Sequence, residues 1–235
     1  MDDDLLGFNF WPSFADIMLA TVLILIIVLF LIIAGFAART INLEQVNQNQ
    51  MTIIYSISKA YGVEPKQLEA NKYGIDTTGS NQYDIIVTNE PTLQRIYFAN
   101  NILFDSGEYS INSQGQTALS VVGMALKENL DLVREIQIQG HADTKPPKKQ
   151  PSNMYLASLR ALAVYDYMKN NVGIDPAEQL MSATSFGEFK PVQRRDDDMD
   201  YSFQKLTNDN DTALEMQANR RIELLLFYST PIKGN

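Results

Sequence analysis

Residues 14–38 read FADIMLATVLILIIVLFLIIAGFAA. From 17 to 38 there are 22 consecutive residues without a formal charge. An apolar helix rises about 1.5 Å per residue, so a stretch of this length crosses a hydrocarbon core of about 30 Å. Inside lipid only a helix or a closed barrel satisfies its own backbone, and one segment cannot close a barrel. The sequence therefore predicts a single transmembrane helix over 16–38, with everything beyond Arg39 on one side of the membrane. Residues 1–15 form a short acidic and aromatic head. It lacks a basic n-region, and the apolar run is too long for the core of a signal peptide, so the span reads as a retained anchor. Pro12 suits a first helical turn, where a missing N–H costs nothing. Phe8, Phe10 and Trp11 are candidates for the membrane interface. The head has no Lys or Arg and the first basic residue is Arg39. Positive-inside counting thus gives no support for a cytoplasmic N-terminus.

Asp16 stands at the front of this span and admits two readings. One is a first-turn acid, favoured by the helix dipole and hydrated at the interface. The other is a buried functional carboxylate, because ionisable groups within spans are costly and mark proton or ion pathways. Phe14 and Ala15 already flank it with apolar sequence, and Thr21 lies near the same side of the helix, where it could line a polar path. A carboxyl that gains and loses a proton interacts differently with a neighbouring helix in its two states.

The chain has 235 residues, a net charge of −9 and a pI near 4.6. After the span, roughly 195 residues remain, enough for one ordinary domain and a connector. The acidic balance argues against nucleic acid as a partner, which needs a basic face. There is no cysteine and a single histidine. Disulfide scaffolds, thiolate zinc sites and multi-histidine metal centres are excluded.

Residues 39–82 read as a juxtamembrane helix and connector. Leu43, Val46, Gln50, Ile53, Ile57 and Ala60 follow 3–4 spacing, a short heptad seam with one polar position. Such a stripe packs either on its own domain or against a second copy. Gly62 ends the helix, and the polar stretch 63–82, with Pro65, Gly74, Gly79 and Asn81, reads as a connector.

A globular domain is expected over 83–235. Residues 83–88 and 94–99 are strand-like around a turn at 89–91. Ser113 is expected to cap a helix running to about 129, with Ala118, Val121, Val122, Ala125 and Leu126 on its apolar face. Residues 133–139 alternate as a strand ending in GHAD, 140–143. A Pro- and Lys-rich loop leads to a second helix over 153–170, and strands follow at 180–186 and 222–228. Between them, 187–217 is polar, with acidic runs at 196–200 and 208–211. Those runs read as a solvated insertion rather than a calcium loop, since the twelve-residue ligand pattern is missing. Strands alternating with helices after an opening hairpin predict an α/β domain with a mixed sheet.

Five motifs then fall in order: LFDSG at 103–107, GHAD at 140–143, NMYLASLRA at 153–161, SFGEFKPV at 185–192 and NRRIELLL at 219–226. Together they resemble the OmpA-type peptidoglycan-binding domain, an α/β sandwich. With one N-terminal span bearing an early Asp, the whole chain resembles MotB-type stator subunits. The span sequence FWPSFADIMLATVLILI and the acidic head look closer to the ZorB type of the Zorya anti-phage systems.

The resemblance implies a binding site, not a catalytic one, and no cofactor. Asp143 and Arg160 match the family positions that hold the diaminopimelate of the peptide stem; Asn153 and Leu156 match positions lining the same groove. A zwitterionic ligand end needs an anion for its ammonium and a guanidinium fork for its carboxylate. Asn153 also suits a helix N-cap. The family form GHTD is here GHAD, one hydroxyl poorer. Arg220 and Arg221 read more readily as structural ion pairs. No nucleophile–base pair, P-loop or dinucleotide fingerprint accompanies His141, which speaks against an enzyme. The resemblance further implies a bacterial inner-membrane location with a cytoplasmic N-terminus and a periplasmic domain. It implies Asp16 as the ion-translocating carboxylate, a ZorA- or MotA-like multi-span partner, and two copies in one hetero-oligomer.

Overall fold

The computed structural model describes residues 11–77, 79, 83–194, 199 and 202–228. Phe8, Phe10 and the acids of the 1–10 head lie outside them, as do the four aspartates of the 196–200 run. The chain divides into two compact units, Met1–Glu44 and Gln45–Asn235, described separately here. Helix α1 has the bounds Trp11–Tyr61.

In the first unit, one stretch is long and apolar enough to cross a membrane. It covers Trp11–Gly35, 25 residues with a mean hydropathy of 3.4, and none of it is buried among the described residues. Pro12 is the second residue of α1, where its missing N–H disrupts nothing. Asp16 is the sixth, and the first turn holds no acid. The first-turn reading of Asp16 is thereby corrected: the dipole effect has faded by the second turn.

The second unit is a seven-stranded mixed sheet with strand order β1-β2-β3-β4-β7-β5-β6. The strands are β1 Lys66–Glu69, β2 Lys72–Ile75, β3 Ile85–Asn89, β4 Leu93–Ala99, β5 Glu135–His141, β6 Leu180–Gly187 and β7 Arg221–Phe227. The helices are α2 Asn100–Leu103, α3 Ser113–Lys127, α4 Asn153–Tyr167, α5 Phe203–Asn208 and α6 Ala213–Asn219. α4 carries the crossover between the parallel pair β5 and β6, and β7 slots antiparallel between β4 and β5. β7 is buried at six of its seven positions. That is why its sequence is a near-continuous apolar run rather than an alternation.

Period-two alternation sorts the sheet into two faces. On one, Ile85 pairs with Phe98, Phe98 with Ile222, Val87 with Ile96, and Ile96 and Ile138 flank Leu224. These side chains form one core with Leu119, Val122 and Leu126 of α3 and Ala161 and Val164 of α4. Val46, Ile53, Ile54 and Ile57 of α1 complete it, each at most 1% exposed. Of the heptad seam, Val46, Gln50, Ile53 and Ile57 are therefore buried inside their own domain, whereas Leu43 and Ala60 are exposed. Gln50, the polar position, donates to the carbonyls of Glu90 and Leu93 at 2.7 and 3.2 Å, and its own carbonyl accepts from Gln94.

The stretch expected as a connector differs from the sequence reading. β1 and β2 extend the sheet beyond β3, with Tyr73 opposite Val87. Gly74, which reads as loop punctuation, sits inside β2 because a Cβ there would come within 2.6 Å of the Tyr83 ring. Two helix caps also shift. Asn112, not Ser113, caps α3 by accepting from the Gly115 N–H, and Ser152, not Asn153, caps α4 by accepting from the Tyr155 N–H.

The second face of the sheet is covered by residues 188–194 and 202–219, which include the acidic run 208–211 read as a solvated insertion. Arg221 reaches the carbonyl of Lys190, and the Tyr97 hydroxyl donates to that of Ala218. Asp209, Asn210 and Asn219 are buried, with Asn219 donating to Asp209 O and Asn210 Oδ1. Thr212 and Glu215 close a capping box on α6. These helices are too short and polar for apolar periodicity to reveal them, although T-x-x-E was a legible start signal.

Candidate functional site

α4 presents two stripes. Ala157, Ala161 and Val164 enter the core, whereas Asn153, Leu156 and Arg160 line a cavity of about 560 Å³. The other walls come from Phe104 to Glu108, the loop after β5, and Arg220. Gly140 makes this geometry attainable: a Cβ there would lie 2.1 Å from the Ala157 carbonyl oxygen, so only glycine lets β5 pass so close to α4. The close approach sets the following Ala142-Asp143 turn against the start of α4. Ala142 donates its N–H to Gly187 O at 2.7 Å, tying the turn to the end of β6.

Asp143 is 5% exposed. Its Oδ1 accepts from the Lys145 N–H at 3.1 Å, and its Oδ2 is ion-paired with Arg220 Nη1. Asn153 donates its Nδ2 to the Asp143 carbonyl at 2.9 Å, so this side chain locks the turn rather than capping the helix. Arg160 is 3% exposed, donates Nε to the Glu108 carbonyl at 2.8 Å, and lies 5.2 Å from the centre of the Phe104 ring. Burial holds its pKa down to about 10, with the nearby positive charge of Arg220 as the second cause. Arg160 and Arg220 both line this cavity, and with Arg220 paired to Asp143 the guanidinium of Arg160 is the one left to favour an anion. Glu108 is ion-paired with Lys149 across the mouth.

All four residues predicted for ligand contact, Asp143, Asn153, Leu156 and Arg160, thus line one cavity. Arg220 joins them, and it is also ion-paired, with Asp143, as its sequence context more readily suggested. The double Arg of NRR splits at the sheet edge. Arg221 turns to the second face, where Nε meets Glu223 Oε1 at 2.6 Å. Arg220 is the C-cap residue of α6, just before β7 begins at Arg221, and nothing in the sequence marks which of the two faces the cavity.

A larger cavity, about 690 Å³, lies on that second face. Its charged floor is closed upon itself, Arg95 meeting Glu90 and Glu223 at 2.6 and 3.2 Å. None of the predicted residues borders it. His141, beside it, is 1% exposed, stacks on Phe186 at 5.5 Å, and its ring nitrogens make no hydrogen bond of normal geometry. Burial pushes its pKa down to about 3, and the positive charge of Arg221 adds to the effect. It is a neutral core group and does not reach the cavity beside Asp143.

Asp16 lies on the exposed surface of the first unit. Thr21, a candidate for a polar path, donates its hydroxyl to the Ile17 carbonyl at 2.8 Å, which satisfies it within the helix. No group of three or more metal-ligating side chains occurs among the described residues.

Residues 103–203 match the OmpA family. The Bacillus subtilis (strain 168) protein YtxE is 27% identical over 127 residues, covering 53% of this chain and 44% of YtxE. The chain thus spans less than half the length of that curated relative. Among solved structures, a MotB-like protein from Desulfovibrio vulgaris superimposes with a TM-score of 0.58 at 17% identity, over 80% of this chain and 99% of that one. The periplasmic domain of Helicobacter pylori MotB gives 0.51 at 18% identity, over 64% of this chain and 86% of that one. At such identities the likeness is one of fold. The chain carries an OmpA-like domain and, among the described residues, one apolar helix of membrane-spanning length.

Proposed function

We propose that this chain is a single-pass inner-membrane protein with a cytoplasmic N-terminus, whose OmpA-like domain grips peptidoglycan in the periplasm. The observation that carries the reading is the cavity in which Asp143, Arg160 and Arg220 converge. The free end of diaminopimelate bears an ammonium and a carboxylate. Asp143 has lone pairs left for the ammonium after serving Arg220. Arg160, anchored through Nε, offers its remaining N–H donors to the carboxylate as a fork. Asn153 holds the turn that aims Asp143, and Leu156 provides apolar wall.

We propose further that the chain is the anchored half of an ion-driven complex, most like the ZorB type that serves anti-phage defence. Two copies sit within a ring of a ZorA- or MotA-like multi-span partner. Asp16 alternates between protonated and ionised forms as ions cross. A potential of 100 mV supplies about 2.3 kcal/mol per elementary charge. The span sequence, with its early carboxylate, supports this reading. The likeness of the domain's fold to MotB periplasmic domains favours a second one, a flagellar stator. A third, a passive wall tether, needs no role for Asp16.

Sedimentation with purified sacculi tests the anchoring step: the full chain in detergent pellets with them, and Arg160→Ala stays in solution. Equal pelleting of both proteins overturns it. Phage plating and swimming assays in the native host separate defence from motility.

A further inference from the structure

The charges around the Asp143 cavity do not balance for a zwitterion. Five cationic side chains line it, Lys145, Lys148, Lys149, Arg160 and Arg220, against two anionic ones, Glu108 and Asp143. This surplus occurs in a chain of net charge −9. Pairing removes Lys149 with Glu108 and Arg220 with Asp143. Arg160, Lys145 and Lys148 are left, and the two lysines are exposed and make no side-chain hydrogen bond or ion pair among the described residues. A diaminopimelate end, with one ammonium and one carboxylate, adds no net charge to meet them.

The loop that carries these lysines is held in place. Its first turn is fixed by the Lys145 N–H on Asp143 Oδ1 and by Asn153 on the Asp143 carbonyl. Lys149 pins its far end to Glu108. Pro146 and Pro147 restrict the backbone between. The two free ammonium groups therefore stand at the rim beside the cavity, on a short and doubly tethered loop.

Resting on the wall-binding reading above, we propose that Lys145 and Lys148 form a second anion subsite. It takes the free α-carboxylate of the glutamate that precedes diaminopimelate in the stem, and so distinguishes glutamate stems from isoglutamine stems. The second carboxylate gives the stem a net negative charge that offsets part of the surplus: one carboxylate on Arg160, one on the lysine loop, and the ammonium on Asp143. Exposed pairs are individually modest. Two lysines on one carboxylate are expected to give about fivefold discrimination, fading as salt screens it.

The test is calorimetric titration of the full chain in detergent with two synthetic stem tripeptides, one with glutamate and one with isoglutamine. The glutamate peptide is expected to bind about fivefold tighter to the unmodified chain. In the Lys145→Gln, Lys148→Gln double variant the two peptides should bind alike, at the weaker affinity. Equal binding of both peptides by the unmodified chain overturns the subsite and leaves wall binding intact. A preference that survives in the double variant overturns the assignment to these lysines. If neither peptide binds the unmodified chain, the wall-binding reading fails and the subsite fails with it.

Discussion

Arg160 does three things at once: it packs on Phe104, holds the 104–108 turn through the Glu108 carbonyl, and keeps its fork for an anion. A lysine keeps the charge but loses Nε and the fork. Arg160→Lys is therefore expected to weaken binding to sacculi by about 10- to 100-fold, the loss of one or two charge-assisted hydrogen bonds. Its thermal midpoint should stay within a few degrees; a variant that binds like the parent would show that charge alone suffices. His141 makes a different prediction. Its pKa is about 3 in the fold against an ordinary 6.5. Between those values the unfolded chain binds the extra proton, so stability is full above pH 6.5 and falls as pH drops toward 3. The slope approaches about 1.4 kcal/mol per pH unit. Glu223 faces His141 at 3.9 Å, and with Arg221 beside it its pKa is down to about 2. Its own loss of stability begins only below about pH 4.5. Since the chain has no other histidine, His141 is the side chain whose ordinary titration falls between pH 7.5 and 5, and melts in that range report chiefly on it. His141→Gln should flatten that segment, and a parent curve already flat there would refute the account. That Asp143 and Arg160 line one cavity was legible at this scale, because the motifs that carry them match a known domain pattern. Arg220 was not, because only the register of β7 shows which Arg of the pair faces the cavity.

Among the elements, the sequence placed β3 to β7, α3 and α4 within a few residues, because alternating strands, the apolar run of β7 and helices with long apolar faces announce themselves. It missed β1 and β2, four residues each with little alternation. It also missed how residues 45–61 of α1 are used. The seam there looked equally suited to a second chain, since periodicity reports a buried face without saying what buries it. The structure fills it from the same domain, and this has a measurable consequence. A chain beginning at residue 83 lacks Val46, Ile53, Ile54, Ile57 and Ile75, all at most 1% exposed. It should be insoluble or molten, whereas one beginning at residue 45 should give a cooperative melt. Ile57→Ala in the longer form is expected to cost about 2–5 kcal/mol, as other buried Ile-to-Ala changes do. If the chain from residue 83 proves equally stable by urea titration, the helix is an ornament and not part of the core.

For the whole molecule, the decisive question is whether the two ends of the chain do separable jobs. In the proposed function the domain's grip depends on Arg160 and is indifferent to the span. The proposed ion step depends on whether a carboxyl at residue 16 can lose its proton. Asn is close to Asp in size and polarity but cannot ionise, so Asp16→Asn leaves insertion and wall binding unchanged while removing the titration. The proposed function then predicts a crossed outcome in cells. Asp16→Asn should pellet with sacculi like the parent and yet abolish phage protection or motility. Arg160→Ala should insert in the membrane, fail to pellet, and lose the same cellular function. A tether behaves otherwise: only the Arg160 change would matter, and Asp16→Asn would protect or swim like the parent. Glutamate at position 16 sharpens the comparison, because it restores an ionisable group one methylene longer. Partial recovery in Asp16→Glu, alongside null activity in Asp16→Asn, ties the function to proton exchange at that site rather than to side-chain size. Full activity in both variants would end the motor reading and leave the wall anchor standing.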